Sequence, residues 1–428
     1  MTQARALPTG VPVPRRRPFF ASTIGLVAGK GLQMGGGFLF WVIAARAASP
    51  VELGLVAAVV SAVLLCTQLG QMGTGAGVIV SLGTGGHRTA VLDTAFTLVL
   101  LAGFAVAAGA LAIGAVAGGD LSPVAGTVGF AALFVMSVVT GTLMICLDQV
   151  NVALGRGGNS ALRYAVAGAV TVVATAALVL SPVASDSRAL FACWSLGAVA
   201  ACGVGVLQLR SILGYSYRPR LHRGHRQRLL VVGVPNQVLT MIERAPGLVV
   251  PILVAHLVSL EATAYWYPAW MMAWVAYSAP VLVGLVQFAE GVKDPLRLAH
   301  STRSGFGWSL LVGAGISVVM IVLAQPLLHL MGAKYADAST GALRLLAVGL
   351  IPYAVIQSYN SVCRVRSRLR EAIAVNAVLG VALCTVTVSV AQAGPTTMAA
   401  GWLTCLSLGA VVAGLRAIRL VRGVNDND

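Results

Sequence analysis

The chain has 428 residues, of which 58% are hydrophobic and only 10% charged, with a mean hydropathy of +0.88 and a formal net charge of +16. So few charges cannot coat a water-exposed surface, which excludes an ordinary soluble globule; the positive balance then reads as membrane topology, and nucleic acid is not expected as a partner. The seven cysteines lie in apolar runs without a CxxC pair and the six histidines lack metal-ligand spacing, so no disulfide, metal or cofactor is expected.

Residues 1–19 form a Pro- and Arg-rich tail, and the apolar run behind it continues to Ala45, too long for a cleaved signal. A spanning helix needs about 20 mainly apolar residues, and this rule places twelve of them, at about 20–45, 53–72, 90–117, 124–149, 160–181, 188–209, 229–256, 262–288, 305–331, 339–362, 371–392 and 397–418. The expected fold class is an all-α polytopic membrane protein with an N-lobe (20–209, spans 1–6), a basic connector (210–228), a C-lobe (229–418, spans 7–12) and a short tail (419–428). With the N-terminus inside, 23 of the 29 Lys and Arg fall on the cytoplasmic side and four on the outer side, which places both termini in the cytoplasm of a cell-membrane protein. The connector, RSILGYSYRPRLHRGHRQR, is the largest member of this pattern and suits contact with anionic lipid headgroups. The outer connections are short and leave no room for an external domain.

The two halves resemble each other. Ala44–Leu55 (AARAASPVELGL) aligns with Val254–Tyr265 (VAHLVSLEATAY), and Gln149 and Arg156 align with Gln357 and Arg364. Six spans per half give both halves the same orientation, hence a parallel pseudo-repeat about an axis normal to the membrane. The segments Gly37–Leu55, Gln68–Gly83, Met241–Val250 (MIERAPGLVV), Leu327–Gly349 and Arg364–Val378 together resemble the polysaccharide-transporter branch of the multidrug/oligosaccharidyl-lipid/polysaccharide flippase superfamily. That resemblance covers nearly the whole chain. It implies two lobes around a cavity of alternating access, moving a polyprenyl-diphosphate-linked saccharide to the outer leaflet for cell-envelope polysaccharide synthesis, with glycosyltransferases or a polymerase of the same pathway as further partners. Gln68 or Gln71 stands where the second span of that family often carries Asp, which puts ion binding there in doubt.

Lys30 and Arg244 lie deep in the first and seventh spans. A charge near the midplane costs about 2.5–3.5 kcal/mol on insertion scales and is expected to face protein or a watery cavity. Given the resemblance, both are candidates to hold the diphosphate, with Arg46 at the outer end of the first span as a third; their structural alternatives are local compensation and an interfacial anchor. Glu243 is a candidate coupling site. Trp270 and Trp274, at helical spacing in the eighth span, are candidates for a sugar-stacking wall, with core packing as the alternative. Gly35 and Gly36 in the first span and Pro235 and Pro246 in the seventh are candidate hinges. Asp148, near the inner end of the fourth span, reads as an interface residue. Other classes weighed are a small-molecule or multidrug exporter, a membrane glycosyltransferase, and a non-transporting scaffold of envelope synthesis; no enzymatic activity is expected.

Overall fold

The computed structural model describes residues 19–83, 88–118, 122–154, 156–182, 185–293, 298–366 and 368–422; the side chains of 19–31 and 285–305 and of a few single positions lie outside that description. Regular structure among the described residues is helical: α1 (Phe19–Ala47), α2 (Pro50–Gly70), α3 (Thr74–Gly83), α4 (Arg88–Ala117), α5 (Ser122–Gly126), α6 (Val128–Ala153), α7 (Gly157–Leu180), α8 (Ser187–Leu213), α9 (Arg223–Leu257), α10 (Leu260–Lys293), α11 (Leu298–His329), α12 (Ala333–Val348), α13 (Leu350–Val365), α14 (Leu369–Ser389) and α15 (Pro395–Arg422). Ten of the described helical stretches are long and apolar enough to cross a membrane, α12 and α13 together counting as one. A bilayer core offers no water to the backbone, so helices that satisfy their own N–H and C=O groups are the form such sequences take. Their outward faces are apolar, as Val116 (90% exposed), Leu180 (87%), Val378 (73%) and Val322 (67%) illustrate.

The expected spans map onto these helices in order, with two physical differences. The second span does not stop at residue 72. It breaks at Met72 (φ 45°) and Gly73 (φ 78°) and resumes as α3, because two successive left-handed residues cannot continue a right-handed helix. The connector is also shorter than its composition suggests, since Arg210–Leu213 belong to α8 and Arg223–Arg228 to α9. Gly214 (φ 59°) ends α8 by donating to Arg210 O at 2.9 Å. The link 214–222 then lies across the start of α4. Tyr215 donates to Asp93 Oδ1 at 2.6 Å, the Arg218 amide donates to the same oxygen at 3.1 Å, and the His222 amide donates to Thr94 Oγ1 at 3.3 Å.

Helices α1–α8 make one lobe and α9–α15 the other. Below, the end of each helix nearer the link 214–222 is the connector end and the opposite one the far end. Within the first lobe α1 crosses α7 at Gly36 and Gly168, where a Cβ on Gly36 would stand 2.6 Å from the Gly168 Cα. Between the lobes, α2 forms the seam. Its far half packs on α10, where Gly54 meets the Leu260 backbone, and its connector half with α3 packs on α9, where Gly73 meets Gly233. The repeat seen in sequence has a structural counterpart at the far end: Ser49 Oγ caps α2 by accepting from Glu52 N at 3.2 Å, and Ser259 Oγ caps α10 by accepting from Ala262 N at 3.0 Å.

Candidate functional site

An aromatic cleft lies inside the second lobe, between α9, α10, α13, α14 and α15. Glu243, Pro246, Gly247, Trp270, Trp274, Tyr277, Tyr353, Gln357, Asn376 and Trp402 are among the residues that line it. The ring wall is built on α10, where residues four apart share a face. Trp270 is its hub, with ring centroids 5.5 Å from Trp274, 6.1 Å from Tyr277 and 4.6 Å from Trp402. Only 4% of Trp270 is exposed, so it supports the wall, while Trp274 and Tyr353 are half-buried and offer the more open surfaces. Trp270 and Trp274 are both seated against Gly247 of α9, where a Cβ would stand 2.4 Å from either ring.

At one edge of the cleft, Glu243 is held by α13. Arg364 Nη2 donates to its Oε1 and Oε2 at 3.1 and 3.2 Å, and Asn360 Nδ2 donates to Oε1 at 2.9 Å. Asn376 of α14 backs this arrangement, donating from Nδ2 to Asn360 Oδ1 at 2.8 Å. Burying a carboxylate requires this kind of pairing, because an isolated charge in an apolar interior is strongly unfavourable. Arg364, one of the many cations that sequence reading assigns to topology, is thus part of the site. Its spacing of seven residues from Gln357 on one helix face was the available signal.

The candidates from sequence fall out as follows. Arg244, next to Glu243 in sequence, is exposed and makes no ion pair or hydrogen bond among the described residues. Arg46 donates from Nε to Leu330 O at 2.7 Å, tying the two lobes at the far end, beside the Trp41–Tyr267 ring contact at 4.7 Å. Lys30 is carried by α1, and its side chain lies outside the described residues. Helix α1 runs unbroken through Gly35 and Gly36; a Cβ at Gly35 would meet nothing within 4 Å, whereas Gly36 belongs to the crossing with α7. Pro235 and Pro246 sit inside an uninterrupted α9. The structure therefore brings Glu243, Pro246, Trp270 and Trp274 to one cleft inside the second lobe and leaves Arg46 outside it, at the far end of the seam.

The first lobe holds a second buried polar cluster. Asp148 of α6, only 7% exposed, pairs with Arg163 of α7, which is fully buried, at 2.5 Å, and also accepts from Tyr164. Asp148 is consequently a core residue of its lobe and not the interface residue expected from sequence. The described acids of the interior are all engaged: Asp93 by Tyr215, Asp148 by Arg163, Glu243 by Arg364. Among the described residues no group of three or more His, Cys, Asp or Glu is placed to hold a metal ion.

Superposition on solved structures decides the architecture. An inward-facing multidrug resistance MATE family transporter of the MOP superfamily matches with a TM-score of 0.76 at 12% identity, over 95% of this chain and 99% of the other. The fold is that of the MATE transporters. The outward-facing form of such a transporter matches with a TM-score of 0.67 (12% identity, 96% of each chain), and the lipid II flippase MurJ in an inward closed conformation with 0.69 (12% identity, 96% of this chain and 93% of the other). The MatE family model matches residues 247–390, which include the cleft lining from Gly247 to Leu383 but not Glu243, Pro246 or Trp402. No curated protein matches the sequence. The all-helical two-lobe architecture expected from the sequence is thus met at the level of the fold.

Proposed function

We propose that the protein is a flippase that carries a polyprenyl-diphosphate-linked saccharide across the cell membrane by alternating access, from the connector-side leaflet to the other. The observation that carries this reading is electrostatic. The described interior acids are already engaged by hydrogen-bonded or ionic partners, while Arg244, next in sequence to the cleft residue Glu243, stands exposed and without an ion pair or hydrogen bond among the described residues. A guanidinium without a counter-charge favours an anion, and the planar fork of Arg matches phosphate oxygens. The aromatic rings of the cleft suit the apolar faces of sugar rings.

The seam between the lobes adds support. Helices α2 and α3 follow the second lobe along their length, and α1 meets it at its far end through Trp41 and Arg46. A lateral opening between the lobes would let a lipid tail remain in the bilayer while the head group enters. The excess of Lys and Arg on the connector side supports a reading with both termini in the cytoplasm of a plasma-membrane protein and the exposed arginines of 210–228 against anionic headgroups. Lys30 is a second candidate for the diphosphate, and glycosyltransferases or a polymerase that make and consume the saccharide would be its functional neighbours.

The competing reading is export of small organic molecules. It is favoured by the multidrug resistance transporters of the same fold and by the aromatic cleft, which would accept planar ligands. The two separate in proteoliposomes carrying a fluorescent prenyl-diphospho-sugar. Wild type is expected to move the probe across the bilayer and Arg244→Ala to lose at least tenfold of the rate with unchanged incorporation; equal rates in the two would refute the assignment.

A further inference from the structure

Two side chains reach across the seam between the lobes, one toward each end, and both take the same kind of partner. At the far end Arg46 Nε of α1 donates to Leu330 O at 2.7 Å. Leu330 lies just past the end of α11, where the amides of the turn donate to Pro326, Leu328 and His329 O and leave the Leu330 carbonyl to a donor from outside. In the connector half, Gln237 Nε2 of α9 donates to Gln68 O at 2.6 Å. In an unbroken α2 that carbonyl would accept from the Met72 amide; at the break the amide turns to Leu69 O at 3.2 Å, and the Gln68 carbonyl is freed. Gln68 is roughly 27 Å along α2 from Pro50 at about 1.5 Å per residue, so the two bonds sit near opposite ends of the seam. Their directions are reciprocal: the first lobe donates at the far end, the second lobe in the connector half.

We propose that these two bonds are opposed latches on the rocking of the lobes, with Arg46 holding the far end shut and Gln237 the connector end. Donor and acceptor belong to different lobes in each case, so an end opens only when its own bond breaks. Water entering the opened end takes the donor's place at the carbonyl. Each latch therefore biases the equilibrium by the net contribution of one hydrogen bond and does not lock it. A mid-helix carbonyl is already taken by its own amide; the end of α11 and the break at Met72–Gly73 are what supply a free acceptor at each end. The break thus does more than let Gly73 approach Gly233, which lies one turn before Gln237 on α9. Because the lobes turn as bodies, losing one latch favours opening of its own end and closure of the other. The inference rests on that rocking, which the flippase and exporter readings share, and on neither substrate.

Pairs of spin labels read both ends in the full-length protein in lipid nanodiscs, in a background lacking the seven native cysteines. Arg188→Cys with Gln392→Cys reports the far end and Arg156→Cys with Arg370→Cys the connector end, all at exposed positions. Arg46→Met and Gln237→Met keep a long side chain and remove the donors. Arg46→Met is expected to raise the ratio of far-end-open to far-end-closed molecules about three- to tenfold. Gln237→Met should raise the connector-end-open ratio by about as much and lower the far-end one. Combining the two should return both distributions toward wild type, since bonds so far apart act independently. Melting temperatures in the same nanodiscs verify folding; where a Met variant fails, Arg46→Glu or Gln237→Glu, which sets an acceptor against the carbonyl, carries the same expectation. Folded variants that leave both distributions as in wild type, or that both open the same end, would overturn the latches. Translocation of the lipid-linked probe by Arg244→Ala is read separately, so the substrate assignment and the latches can each fail alone.

Discussion

Gly54→Ala tests whether the seam between the lobes is a moving gate. A Cβ on residue 54 would stand 1.8 Å from the Leu260 carbonyl oxygen and 2.6 Å from its carbon. Ordinary contact begins near 3.4 Å, so α2 and α10 must separate by about 1.6 Å at this point, and because the obstacle is backbone no side chain can rotate out of the way. Overpacking of this kind costs about 1–3 kcal/mol, which multiplies the ratio of far-end-open to far-end-closed molecules by roughly 5- to 150-fold. The assay is the distance distribution between spin labels at Arg188→Cys and Gln392→Cys, exposed positions at the far ends of the two lobes, in a background lacking the seven native cysteines. Gly54→Ala should move the population to longer distances. Gly203→Ala, where a new Cβ meets nothing within 4 Å, should not. An unchanged distribution in Gly54→Ala, with unchanged melting temperature, would refute the gate.

Three further outcomes are expected. Gly233→Ala places a Cβ 1.7 Å from the Gly73 carbonyl oxygen at the connector end of the seam, so it should shift the same labels the opposite way, toward the far-end-closed population. Arg163→Met strands the buried Asp148 charge and should lower stability by about 3–5 kcal/mol, read as a fall in melting temperature in detergent, whereas Asp148→Leu combined with Arg163→Met should recover most of it. Burial and the neighbouring Asp93 push the Tyr215 phenol above its ordinary value, so the protonated donor is the form the fold favours. Its contribution is therefore full below the unfolded tyrosine pKa of about 10 and is lost only as pH rises through the higher folded value. Trypsin cleavage after Arg220 should stay equally slow from pH 7 to pH 10 in wild type, and be faster throughout in Tyr215→Phe.

Much of the fold was legible in the sequence because its signal is additive. A run of some twenty apolar residues is visible without knowing its neighbours, and the Ser49 and Ser259 caps repeat because each opens the second helix of its lobe. The break at Met72–Gly73 was not legible, since the same glycines would be tolerated in a straight spanning helix; what requires them is the backbone of Gly233, more than 150 residues away. The site divides the same way. Glu243, Trp270 and Trp274 stood out by being polar or aromatic at depth, and the cleft gathers all three. Arg364 was hidden among connector-side cations, and Arg163 likewise, because composition cannot tell an arginine that meets headgroups from one turned inward to a carboxylate.

The central claim is that a lipid-linked anionic saccharide crosses by way of Arg244. Proteoliposomes loaded with a fluorescent prenyl-diphospho-sugar in one experiment and with ethidium in another compare the two substrate classes on the same protein. The account predicts translocation of the lipid-linked sugar that Arg244→Ala abolishes, and ethidium flux no greater than in protein-free vesicles. Ethidium transport by the wild-type protein, with the lipid-linked sugar left in its original leaflet, would contradict it.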